Sequence, residues 1–135
     1  MTAQVVVGRA GTGPVNPLAG DRGTFQEMVG PHRGVHDLDV HENVLTAGCG
    51  LGAYHRHDRS SNVYIVLEGV VTLLTEGELH ELHVGDYAYV AAGVPHAAGN
   101  LSSVEARVLE VYTPASPDFT IVEDPPSQRH GPTGG

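Results

Sequence analysis

The sequence predicts an all-β domain, and three observations carry that prediction. Eighteen glycines and nine prolines are spread over 135 residues, and residues of this kind punctuate a chain into short elements joined by tight turns. From Asn62 onward the apolar runs are strand-sized, rich in Val, Leu, Thr and Tyr, and each is closed by a Gly-containing turn. Residues 37–47 alternate loosely between charged or polar and apolar positions, as a long half-buried strand does.

Taken in order, residues 4–7, with Val5-Val6-Val7, form the first strand candidate. A Gly/Pro stretch over 8–23 follows and is expected to be loop, or an arm on a neighbouring subunit. Residues 24–29 and 37–47 are the next strands. Then come 62–67, closed by Glu68-Gly69; 70–75, closed by Glu76-Gly77-Glu78; 79–84, closed by Gly85-Asp86; and 87–91, closed by the turn Ala92-Gly93-Val94-Pro95. Residues 96–99 and 106–112 complete the set. Short strands at this spacing describe a sandwich or a barrel. The organisation read from the chain is an N-terminal arm and loop (1–23), a single barrel domain (24–123) and a flexible tail (124–135). No internal repeat of fixed period is visible.

Composition narrows the function. One domain is expected, because two hydrophobic cores would each be too small. Hydrophobic residues make up 40% of the chain, yet no apolar run approaches the roughly 20 residues of a membrane-spanning helix. The N-terminus has no basic stretch leading into a long apolar segment, so a cytoplasmic protein is expected. A net charge of −9 disfavours nucleic acid. The single cysteine, Cys49, rules out an internal disulfide and a cysteine-based zinc site, and reads as a small buried hydrophobe. All seven basic residues are arginines, which excludes Schiff-base and P-loop lysine chemistry. There is no Gly-x-Ser-x-Gly turn and no Gly-rich loop opening a helix. Protons must then be moved by His, Tyr, Asp or Glu.

The histidines are where the chemistry concentrates. His55 and His57 are two apart, and in an extended chain such residues point to one face. His96 follows the turn Gly93-Val94-Pro95 at the start of another strand. A lone histidine is more often a surface residue or a satisfied core group than a ligand. Three on one barrel wall suit a divalent first-row metal. His32, His36, His80, His83 and His130 fall in loops, on outward strand positions or in the tail, and read as surface residues.

These residues resemble the two motifs of the cupin superfamily. Motif one usually runs Gly, five residues, His-x-His, three or four residues, Glu, six residues, Gly. Here Gly50-Leu51-Gly52 leads to His55-Arg56-His57, four residues to Asn62 and six more to Gly69. Motif two usually runs Gly, five residues, Pro-x-Gly, two residues, His, three residues, Asn. Here Gly85 is followed by Ala91-Ala92-Gly93, His96 and Asn100 at those spacings. The leading glycine is one residue off, Ala91 replaces the proline, and Asn62 stands where the family has its glutamate.

The resemblance implies a cupin barrel, a double-stranded β-helix or jelly roll, in which His55, His57 and His96 ligate one divalent ion. Zinc or iron leads, with manganese, nickel or copper as alternatives. Asn62 occupies the fourth position, where it either coordinates through its amide oxygen or only hydrogen-bonds a water or loop backbone; a neutral amide there leaves more of the metal's charge for anionic substrate oxygens. Glu42 and Glu68 are the nearest carboxylates in sequence, but one faces away from His41 and the other lies in a turn. His41, if it faces inward, is a fourth ligand or a proton shuttle. Alternation puts Tyr64 on the face of Asn62, where it either fills the core or donates a proton to substrate. Arg107 and Glu110 read as an exposed ion pair.

The functional expectation is a metal-dependent enzyme acting on a small enolisable or phenolic molecule. It is either a cyclase or isomerase, as in aromatic polyketide cyclases of secondary metabolism, or a three-His dioxygenase. A cupin that only binds metal or ligand is the remaining reading. A homodimer formed through exchanged N-terminal strands is expected by family analogy, with a small-molecule substrate and neither nucleic acid nor membrane as partner.

Overall fold

In the computed structural model, which describes residues 4–123, twelve strands form two antiparallel sheets that face each other. They are β1 (Val15–Pro17), β2 (Gly23–Val29), β3 (Asp39–Leu45), β4 (Gly50–Leu51), β5 (His55–Arg56), β6 (Ser61–Glu68), β7 (Val71–Thr75), β8 (Glu78–Leu82), β9 (Tyr87–Val90), β10 (His96–Asn100), β11 (Ala106–Thr113) and β12 (Thr120–Ile121). The first sheet runs β1-β2-β3-β11-β6-β9 and the second β12-β5-β10-β7-β8, with β4 also pairing β10. This is the predicted all-β jelly roll.

Alternation along each strand decides what faces inward. In β6, Asn62, Tyr64 and Val66 are buried while the residues between them are only half covered. In β11, Ala106, Val108 and Glu110 are the buried set. Val66, Val71, Leu73, Ala106 and Val108 meet Tyr64, Leu45, Leu82 and Val90 in one apolar core, and a fully buried Val or Leu contributes roughly 1.5–3 kcal/mol. Cys49 packs at the margin of this core, as its reading as a small hydrophobe implied. Gly69, the last motif-one glycine, turns the chain at a positive φ of 74° with the Glu105 carbonyl so close that a Cβ would lie 2.5 Å from it.

The predicted strands 24–29, 37–47 and those from residue 62 onward all appear, shifted by one or two residues at their ends. The N-terminus departs from expectation. Residues 4–7 are irregular, with Val5 81% exposed, and the first strand is β1, paired to β2 in register Val15↔Gln26. Residues 15–17 therefore pair within this chain's own sheet, in the stretch expected to be loop or an arm. Three valines give β propensity, but a strand needs a free edge to pair with, and β1 takes the edge of β2. The tail 124–135, with His130, lies outside the described residues.

Candidate metal centre and cavity

Short strand β5 and the start of β10 lie side by side, with His96 opposite His55 in register. His57 follows directly, and its backbone carbonyl accepts a hydrogen bond from Gly93 N–H at 2.7 Å, which ties it to the turn that delivers His96. The two motifs, some forty residues apart in sequence, thus become one site. The ligand atoms of His55, His57 and His96 all lie within 4.8 Å of one another. His57 is 4% exposed and His96 1%.

Each ring is oriented through its far nitrogen. His55 Nδ1 donates to the Ala53 carbonyl at 2.8 Å, His96 Nδ1 to the Val94 carbonyl at 2.9 Å, and His57 Nδ1 to the Asp118 carbonyl at 2.5 Å. A carbonyl only accepts, so all three rings carry their proton on Nδ1 and turn an Nε2 lone pair inward. The Nε2 atoms of His55 and His57 then face each other at 3.2 Å, and His96 Nε2 is buried without a partner. Lone pairs so placed repel unless a cation sits among them. A proton is a poor candidate for that role. Burial, and then the neighbouring imidazoles, push His96 down from the usual 6.5 to about 4, and burial lowers His55 as well. A divalent metal fits, since two nitrogens each about 2.1 Å from one ion lie about 3–3.5 Å apart.

This centre opens into a cavity of about 320 Å³ between the sheets. Tyr64 lines it, as alternation predicted, and so does His41, whose direction the sequence left open; Tyr64 lies edge-on to His96 with ring centroids 6.1 Å apart. His41 lies between the tilted rings of Phe25 and Tyr112, with centroids 5.4 and 5.6 Å away, and burial lowers its pKa. Burial raises Tyr64 well above the usual tyrosine value, so its hydroxyl keeps its proton. Asn62 is buried opposite Tyr112, its Nδ2 donating to the Val111 carbonyl at 3.3 Å while its Oδ1 has no donor. Glu42 and Glu68 both bind Arg107 on the outside of the barrel and take no part. His32, His36, His80 and His83 are exposed, as read from the sequence.

Glu110 overturns the expected Arg107–Glu110 surface pair. Residues three apart on a strand face opposite sides, so Arg107 points outward to Glu42, Glu68 and Glu105 while Glu110 lines the cavity at 7% exposure. Its carboxylate accepts from Tyr112 Oη at 2.8 Å and Asn43 Nδ2 at 2.5 Å. Burial raises its pKa above the usual carboxyl value despite those donors. The inward positions of Ala106 and Val108 in the same strand were the signal that could have found it. Tyr112, Asn43 and Arg22 are further cavity residues that sequence reasoning missed.

The segment after β11 closes the mouth. Phe119 stacks on His55 with ring centroids 4.3 Å apart and remains 57% exposed. Asp118, whose carbonyl holds His57, takes the N–H groups of Asp58 and Arg59 on its carboxylate at 2.8 and 2.9 Å.

The sequence model of the cupin domain matches residues 41–112, from the first cavity histidine to the last cavity tyrosine. The chain belongs to the cupin family. This cupin is 30% identical over 69 residues to an uncharacterized protein of Methanocaldococcus jannaschii, a match covering 50% of the chain and 55% of that relative, so it spans about half the relative's length. The polyketide cyclase RemF from Streptomyces resistomycificus has a similar fold, with a TM-score of 0.75 at 18% identity over 93% of this chain and 89% of that one. A cupin-superfamily sugar phosphate isomerase from Silicibacter pomeroyi matches with a TM-score of 0.62 at 25% identity, over 69% of this chain and 60% of that one. Among the described residues, no helix of this cupin is long and apolar enough to cross a membrane.

Proposed function

We propose that this cupin is a metal-dependent enzyme acting on a small enolisable or phenolic molecule by Lewis-acid catalysis, in the manner of a cyclase or isomerase. The observation that carries this reading is that a cluster of three histidines, His55, His57 and His96, opens through His55 and His57 into a cavity lined from the facing sheet by Tyr64, His41, Tyr112 and Glu110. His55, His57 and His96 would hold the ion, zinc or iron by preference, with Asn62 Oδ1 as a further oxygen ligand. When bound, such an ion polarises a carbonyl or phenol oxygen and makes the neighbouring proton more acidic.

The chain's own groups account for the rest. Tyr64 donates a hydrogen bond to a substrate oxygen, being held protonated by burial. Glu110 and His41, directly opposite each other on β11 and β3, take up and return a proton. Glu110 is suited to this because burial moves it toward the pH at which acid and base forms interchange. Phe119, Pro117 and Leu18 cover the reacting centre with apolar surface. Structural likeness to a polyketide cyclase and to a sugar phosphate isomerase supports the cyclase or isomerase class and a place in secondary metabolism.

The neutral ligand set also serves a dioxygenase, so the test separates the two. Metal content of the isolated protein is measured, then oxygen uptake with phenols and 1,3-diketones. Zinc with diketone turnover and no oxygen uptake supports the proposal. Iron, copper or nickel with substrate-dependent oxygen uptake selects the dioxygenase, and absence of any stoichiometric metal overturns both.

A further inference from the structure

One charged side chain of the cavity plays no part in that chemistry. Arg22 sits in the tight loop between β1 and β2, whose shape is fixed by bonds from Leu18 N–H to the Gly23 carbonyl at 2.8 Å and from Thr46 N–H to the Arg22 carbonyl at 3.0 Å. The loop aims the side chain between the sheets, where it lines the cavity. Gly52 makes room for it, since a Cβ there would lie 2.8 Å from both Cζ and Nη1 of the guanidinium. Nη2 donates to the Ala98 carbonyl at 3.0 Å, and Nε is buried without a partner.

Among the described residues, no carboxylate lies within ion-pair distance of Arg22, although the chain carries sixteen acidic residues against seven arginines. Arg56, Arg59 and Arg107 each pair with Asp or Glu on the surface. The carboxylate of Glu110, the acidic residue of the cavity, is already engaged by Tyr112 and Asn43. Arg22 lines the same cavity as Tyr64 and Glu110, and its charge favours the ionised form of both. A half-buried guanidinium left without its anion is costly. Beside a divalent ion it would add a second positive charge to the cavity.

We propose that Arg22 is a specificity residue that binds a carboxylate of the ligand, so that the substrate is an enolisable or phenolic carboxylic acid: one oxygen group addresses the metal and a separate carboxylate meets the guanidinium. A planar carboxylate matches the fork geometry of arginine, and Leu18, Leu45 and Val108 leave apolar surface for the carbon frame between the two groups. This inference rests on the metal-centre reading above.

The test uses the full chain loaded with cobalt(II), whose visible spectrum reports ligand binding without turnover. The probes are catechol and its carboxylated forms 2,3- and 3,4-dihydroxybenzoate, and the quantity read is the ratio of affinities. At least one carboxylated probe is expected to bind about tenfold or more tightly than catechol, the increment of one charge-assisted hydrogen bond. Arg22→Met is expected to bring that ratio to about one, and Arg22→Lys to leave part of it. A ratio near one in the parent, or an unchanged ratio in Arg22→Met, overturns the role of Arg22 alone. A parent protein that takes up no cobalt overturns the metal-centre reading and this inference with it.

Discussion

The proposed chemistry is tested most directly at two buried residues, Glu110 and Asn62. Glu110→Gln keeps the shape and much of the hydrogen bonding to Tyr112 and Asn43 but removes the exchangeable carboxyl proton. Turnover is expected to fall about 100-fold or more with metal stoichiometry unchanged, measured as kcat beside metal content. A variant that turns over normally would remove Glu110 from proton transfer. Asn62→Glu restores the carboxylate of the family motif and lowers the net charge of the centre. Anionic ligands are then expected to bind more weakly to the metal-loaded protein, read by calorimetric titration; equal or tighter binding would sink the argument that the neutral amide enhances Lewis acidity. Both residues sit on inward positions of their strands, but only Asn62 was marked by a motif.

The segment that follows β11 is the element that finishes the site. The Asp118 carbonyl holds the tautomer of His57, while its carboxylate ties the segment to the backbone of Asp58 and Arg59, and these N–H donors lower its pKa. Asp118→Ala removes the anchor but not the carbonyl. Faster amide exchange at Asp58 and Arg59 and a several-fold weaker metal affinity are expected, measured by hydrogen exchange and competitive chelation. Protection equal to the parent would show that Phe119, stacked on His55, holds the segment by itself. In the core, Leu73→Ala is expected to cost about 2–5 kcal/mol in denaturant unfolding, since Leu73 is 3% exposed within the main cluster.

For the whole molecule, the histidine cluster couples stability to pH and to metal. The folded state holds His96 at about 4, below the ordinary 6.5, so the unfolded chain takes up the proton first. Its contribution to stability is therefore complete above about pH 6.5 and is lost as pH falls toward 4. Metal-free protein is expected to show a Tm that drops across that window. Adding zinc should raise Tm at pH 7, with a smaller rise at pH 5 as protons compete for the same lone pairs. A Tm of the metal-free protein that stays flat from pH 7 to 4 would contradict the burial of neutral imidazoles.

The sequence by itself determined the all-β class, the longer strands from residue 24 onward and the three histidines of the cluster, but not the two-residue strands β4, β5 and β12. Those features are written in local signals: turn residues, strand-length apolar runs, and ligand pairs at fixed spacing. Alternation also placed Tyr64 toward the interior, while the direction of His41 stayed open. Tertiary structure alone decided which carboxylate and which cation share the cavity. Glu110 and Arg22 come from β11 and the β1–β2 loop, eighty-eight positions apart in the chain, and nothing in the spacing of either marks it. The pairing of β1 with β2 was equally hidden, because a strand needs a partner edge as well as propensity, and Val5-Val6-Val7 has only the second.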